Sequence, residues 1–246
     1  MPPVGGSVRP RAQQRAGSIT MFSAHYYLAT ALPALGEPGT APPLSLVELR
    51  AATAESRAAP LIDAILLSDD LRQRQAVLAG ELTEAVPAVL EPAQATGQAP
   101  LPAALMPAEG SESLPASDDL LWETYWYYAA SVARRRGSAF LRAWVSLEVA
   151  LRNAVAEARA RSFAQRAAVH VVAAELGEHE QLVELGVAAW AGAPDPLTGL
   201  RSLLRTRWEW VTREEPRFTF SDDELAAYAV KLLVLRNWRR TMEGAA

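Results

Sequence analysis

The chain has 246 residues, half of them hydrophobic, with 24 lysines and arginines against 28 aspartates and glutamates for a net charge of −4. The absence of cysteine excludes a disulfide framework, a thiolate metal site and a cysteine nucleophile, and the mild acidity gives no global drive toward nucleic acid or an anionic membrane. No apolar run approaches the ~20 residues that a membrane span needs; even Ala167 to Leu176 contains His170 and Glu175.

The first twenty residues carry Arg9, Arg11 and Arg15, no acid, and Pro2, Pro3, Pro10, Gly5, Gly6 and Gly17. They lack an apolar segment of secretory length, so residues 1–20 are expected to form a disordered extension, with folded-looking sequence opening at Met21. His25 to Pro33 is too short and too aromatic to assign as strand or helix. Leu44-Ser-Leu-Val-Glu48-Leu49 is clearer: Ser45 and Glu48 match a reciprocal capping box, with Leu44 and Leu49 at the staple positions. A helix over 45–57 follows, then one over 60–67 behind Pro60, and another from Ser68-Asp-Asp-Leu71 to about Val86. Residues 21–86 thus read as an N-terminal helical module.

Six prolines between Pro87 and Pro115, with little periodic hydrophobicity, predict a linker or long surface loop over 87–116. A C-terminal helical bundle over 117–242 is expected beyond it. Ser117-Asp-Asp-Leu120 supplies a helix start, and Trp122, Tyr125, Trp126, Ala129 and Val132 recur along one helical face. A core stripe explains that face better than a base-stacking platform does.

The next helix aligns Phe140, Leu141, Trp144, Leu147, Leu151, Val155 and Ala158 on one side. Eight arginines lie between Arg134 and Arg166 against Glu148 and Glu157, and Arg134, Arg135, Arg136, Arg142 and Arg159 define a candidate basic face. Such a face binds phosphates in some proteins, but a solvated helix surface or a contact for an acidic partner fits the acidic whole chain better. Glu148 and Arg152, four apart in the favourable order, predict an intrahelical pair. Residues 166–191 read as a helix or broken pair interrupted near Gly177. Asp195-Pro196 then starts a helix bearing Leu197, Leu200, Leu203, Leu204, Trp208 and Val211, which Pro216 ends.

The last helix begins at a second predicted capping box, Ser221 and Glu224, with Phe220 and Leu225 as staple. Leu225, Tyr228, Ala229, Leu232, Leu235 and Trp238 or Arg239 trace its inward face. Its Leu235-Arg-Asn repeats Leu151-Arg-Asn. Lys231 is the only lysine in the chain, which an arginine- and alanine-rich coding bias explains; it either snorkels to the surface or reaches a carboxylate on a neighbouring helix, with Glu148 the first candidate. Glu148, Arg152, Asn153, Lys231, Arg236 and Asn237 are therefore the candidate interhelical network or partner contact.

No Gly-rich phosphate loop is present, the three histidines do not form a two-His helical metal motif, and no serine has a histidine to activate it. Asp69, Asp70, Asp118, Asp119, Asp222 and Asp223 follow serines, so helix initiation accounts for them better than paired catalytic carboxylates. Neither a cofactor nor an enzymatic activity is expected.

Taken in order, His25-Tyr-Tyr-Leu-Ala-Thr-Ala-Leu-Pro, Pro42-Pro-Leu-Ser-Leu, Trp144-x3-Glu-x2-Leu-Arg-Asn153, Asp195-Pro-Leu, Arg207-Trp208 and Phe220-Ser-x3-Leu-x2-Tyr-x2-Lys-Leu resemble an uncharacterised bacterial family encoded beside V/A-type ATPase subunits. The resemblance spans nearly all of residues 21–242, the Pro-rich middle contributing nothing, and rests on the order of short motifs. It implies a cytoplasmic, ATPase-associated helical subunit in the place of the central-stalk subunit, peripheral to the membrane through its partners. The resulting expectation is an all-α, non-catalytic accessory or stalk-like subunit with V/A-type ATPase subunits as partners and no nucleic acid. A transient assembly or regulatory adaptor and an RNA-binding protein using Arg134 to Arg166 are the alternatives.

Overall fold

The computed structural model describes residues 27, 28, 30–106, 118–162, 170–178 and 180–243, and these form an all-α fold. The helices are α1 (Leu46–Thr53), α2 (Ala59–Leu78), the single turn α3 (Pro92–Ala95), α4 (Asp118–Arg136), α5 (Ala139–Ser162), α6 (Gln181–Ala191), α7 (Pro196–Glu214) and α8 (Asp222–Glu243). The expected extension, 1–20, lies outside the described residues.

Local chemistry sets the helix ends. At α1 both bonds of the capping box form: the Glu48 amide donates to Ser45 Oγ at 3.1 Å and the Ser45 amide to Glu48 Oε2 at 2.6 Å. Asp195 caps α7 by accepting from the Thr198 amide at 2.8 Å, with Pro196 in the first turn. The second capping box forms only by half. The Glu224 amide reaches Ser221 Oγ, but the Glu224 carboxylate turns back to accept from the amides of Phe218, Thr219 and Phe220 at 3.0, 3.0 and 2.6 Å. Those amides converge because Phe218 and Phe220 sit at φ of 58° and 49°.

Where two helices were predicted over 60–67 and 68–86, one helix runs from Ala59 to Leu78. Ser68-Asp69-Asp70 therefore lies in its interior and starts nothing. Ser68 Oγ donates to the Ile65 carbonyl at 2.8 Å, and both aspartates point into the protein core. Asp69 accepts from Arg236, from Arg240 at 3.0 Å and from Gln73 at 2.8 Å. Asp70 accepts from three consecutive amides, Ala88 at 2.8 Å, Val89 at 2.6 Å and Leu90 at 2.8 Å. Burial pushes the Asp70 carboxyl above its ordinary value, against the downward pull of those amides.

That anchoring changes the meaning of the Pro-rich stretch. Residues 87–116 were expected to form a linker or long surface loop, and within their described part Ala88, Leu90, Ala95 and Leu105 are buried in the common core. Proline removes amides from the chain, and the remaining ones at 88–90 are satisfied by Asp70 instead of by a helix. Residues 107–116 lie outside the described set. α2 packs on both α4 and α8, so the helices assigned to an N-terminal module share one core with the C-terminal bundle.

α8 is the hub. The sequence predicted one inward face, but Ala226, Ala227, Val230, Leu233 and Val234 are buried as well as Leu225, Ala229, Leu232 and Leu235. α1, α2, α5 and α7 surround it. Burial thus extends well beyond one stripe, with Glu224, Tyr228, Lys231 and Trp238 half-buried along the remaining side, and the small residues at 226, 227 and 229 let neighbours approach closely.

Candidate functional site

On α5, Glu148 stands four residues after Trp144 and three before Leu151, so it occupies the apolar stripe and is carried into the interior, 3% exposed. A buried carboxylate requires a counter-charge. Arg207 on α7 supplies it through two parallel bonds, Nε to Oε1 at 2.5 Å and Nη2 to Oε2 at 3.0 Å. Arg72 on α2 adds a third approach, its Nη2 standing 3.7 Å from Oε2.

The predicted intrahelical pair of Glu148 with Arg152 does not form. Arg152 instead crosses to Asp119 in the first turn of α4 at 2.7 Å, and His170 Nδ1 meets the other oxygen of Asp119 at 3.2 Å. Partial burial pushes the Asp119 carboxyl up, but Arg152 and His170 outweigh it and hold the carboxyl below its ordinary value. Asn153 fixes the loop that presents His170: its side chain donates to the Val172 carbonyl at 2.9 Å and accepts from the Val172 amide at 3.1 Å.

These groups rim an open cleft of about 900 Å³ among α2, α4, α5 and α7. Trp122, Trp126, Leu151 and Leu203 give it an apolar lining, while Arg72, Arg152, Arg159 and Arg207 face Asp119 and Glu148. The aromatic part is rigid. Trp122 and Tyr125 meet edge to face at 5.6 Å, Trp122 Nε1 donates to Gln75 at 3.0 Å, and the Tyr125 hydroxyl donates to the Ala64 carbonyl at 2.9 Å. The Trp122 face predicted as core is thus buried on one side and lines the cleft on the other.

The remaining candidates fall elsewhere. Lys231 does not meet Glu148; it bridges to Glu215 at the end of α7 at 2.6 Å and lies over the Trp208 ring at 5.3 Å. Arg236 binds Asp69, and the half-buried Asn237 beside it makes no side-chain hydrogen bond with a described residue. The two Leu-Arg-Asn copies share one arrangement: Leu151 and Leu235 are buried, while Arg152 and Arg236 each reach a carboxylate on a different helix. Only Asn153 completes a bond to a loop.

The basic face divides into separate groups. Arg134, Arg135 and Arg136 are exposed in the last turn of α4, where cations suit the helix dipole, and Arg142 is exposed in the first turn of α5. Arg159 lies roughly 25 Å further along α5 by helical rise, held over the Trp190 ring at 5.5 Å.

Sequence reasoning missed Arg72, Asp119, His170 and Arg207 as site residues. The position of Glu148 within its own apolar stripe was the available signal that a counter-charge had to come from another helix. Among the described residues no group of three or more histidine, aspartate and glutamate side chains is placed to hold a metal ion, and no helix is long and apolar enough to cross a membrane. No protein-family model, curated protein or solved structure matches the chain.

Proposed function

We propose that this protein is a non-catalytic, partner-binding helical subunit, and that its partners are subunits of a V/A-type ATPase. The observation that carries the scaffold reading is the use of charge: Asp69 and Glu148, both buried, are each neutralised by arginine from another helix, Arg236 and Arg240 in one case and Arg207 in the other. Together with Arg152 to Asp119, these bonds tie α2 to α8, α5 to α7 and α4 to α5. Charges committed in this way brace the helices against one another, and among the described residues they leave no carboxylate pair or activated nucleophile poised for chemistry. The choice of a V/A-type ATPase rests on the order of the sequence motifs.

On this reading the protein is an accessory or central-stalk-like subunit at the cytoplasmic face, meeting the membrane only through its partners. The test is purification of a chromosomally tagged copy in mild detergent. Recovery of ATPase subunits at fixed stoichiometry supports the subunit reading, substoichiometric recovery confined to incomplete complexes supports the assembly adaptor, and recovery of no ATPase subunit overturns both. The separation of Arg134 to Arg136 from Arg159 disfavours a continuous RNA-binding stripe.

A further inference from the structure

We propose that the cleft among α2, α4, α5 and α7 binds a small organic anion, a carboxylate or phosphate monoester borne on an apolar body the size of one or two rings. Four arginines face two carboxylates there. Both carboxylates are already engaged, Glu148 by Arg207 and Asp119 by Arg152 and His170. Arg159 pairs with no described carboxylate, and Arg72 meets Glu148 only at ion-pair distance, 3.7 Å from an oxygen that Arg207 already holds.

Neither of these two guanidinium groups donates a hydrogen bond to another described residue. The Glu148 oxygen facing Arg72 is 3.7 Å away, beyond hydrogen-bond reach. Each guanidinium instead lies over an indole, Arg72 above Trp122 at 5.6 Å and Arg159 above Trp190 at 5.5 Å. An aromatic neighbour of this kind accepts no N–H hydrogen bond in the plane of the guanidinium, so the donors of both groups can turn to a carboxylate or phosphate.

The lining decides what the anion is attached to. Trp122, Trp126, Leu151 and Leu203 offer apolar surface that a bare inorganic ion leaves wet, and a neutral ring would leave the surplus cations unmatched. A volume of about 900 Å³ belongs to the upper part of the range for small-molecule sites. An amphipathic anion satisfies both halves.

The test is calorimetric titration of the isolated full chain with 1-naphthyl phosphate, 1-naphthaleneacetate, the uncharged 1-naphthaleneacetamide and inorganic phosphate. The two naphthyl anions should bind about tenfold or more tighter than the amide or inorganic phosphate, and R72Q and R159Q should each weaken them by about tenfold. R239Q removes an exposed arginine outside the cleft and should leave the affinity unchanged. Circular dichroism melting of each variant separates lost binding from lost fold, and Arg159, exposed at the rim, serves if Arg72 proves necessary for folding. Equal binding of the amide, unchanged affinity in folded R72Q and R159Q, or no binding of either naphthyl anion at millimolar concentration would each overturn the proposal. Because the isolated chain is titrated, the outcome is independent of any ATPase association.

Discussion

Arg207 and Glu148 meet edge to edge across α7 and α5, the two Arg207 nitrogens spanning both oxygens of a carboxylate that solvent scarcely reaches. Removing the arginine alone strands a buried charge. Arg207→Leu should therefore cost about 3 kcal/mol or more, whereas the double change Glu148→Leu with Arg207→Leu should recover most of that loss. Urea denaturation of the two single variants and the double variant measures this; a double variant no more stable than Arg207→Leu would contradict it.

Asp70 makes a sharper prediction, because one carboxylate satisfies three amides. Asp70→Ala leaves those donors without an acceptor and should cost on the order of 2–4 kcal/mol, discounted for water reaching the half-buried Val89. Hydrogen exchange localises the effect: amides 88–90 should be protected in the parent and exchange rapidly in the variant. Protection that survives the substitution would mean that packing alone holds this stretch.

Tyr228 supplies the pH dependence. Its hydroxyl donates to the Pro33 carbonyl at 2.8 Å, and burial pushes its ionisation up to about 12 from 10.0. A pKa raised in the native state means that the protonated phenol is the stabilising form. Its contribution is intact below the unfolded value near 10 and is lost as pH rises through about 12. The stability advantage of the parent over Tyr228→Phe should accordingly stay constant from neutral pH to about 10 and then shrink. An advantage that grows with alkalinity would reverse the sign and refute the assignment.

Phe218 is 85% exposed and holds a φ of 58°, a backbone region that a bulky side chain enters only at a cost. Asn tolerates that region and gives up almost no packing here, so Phe218→Asn should stabilise the fold by roughly 0.5–1 kcal/mol and raise the melting temperature by about 1–4 °C. Differential scanning calorimetry decides it. A fall in melting temperature would show that the aromatic ring does more for the isolated chain than its exposure suggests.

The Ser-Asp-Asp motifs illustrate what a sequence can and cannot say. At Asp118-Asp119 and Asp222-Asp223 a helix does begin, and at Asp69-Asp70 none does. Capping chemistry depends on three or four neighbouring residues, and all three sequences offer the same Ser-Asp-Asp pattern. What separates them is remote: Asp223 accepts from the Ser138 hydroxyl and the Phe140 amide at the start of α5, while Asp69 waits for α8. The apolar periodicities of α4, α5 and α7 were readable because each has a wet side. That of α8 was understated because its buried residues wrap well beyond the Leu225–Leu235 stripe, leaving a narrow half-buried side of Glu224, Tyr228, Lys231 and Trp238. The cleft was hidden for the same reason as the Arg207 bond, since its walls come from four helices whose register no local pattern encodes.

The position of α8 has a consequence for how this molecule comes to be folded. It is the hub, yet it follows in the chain every helix that it packs against; its bond from Arg236 to Asp69 closes a loop of 167 residues. Such a closure forfeits chain entropy before the contacts that reward it can form. Until α8 arrives, Asp69 on α2 lacks both of its arginine partners and the sides of α1, α2, α5 and α7 that α8 covers stay open, although α4 with α5 and α6 with α7 already pack on one another. Closing the core is thus the last and longest-range step that the contact pattern requires, joining pairs of helices that can already meet and covering apolar surface that would otherwise stay open to other binders.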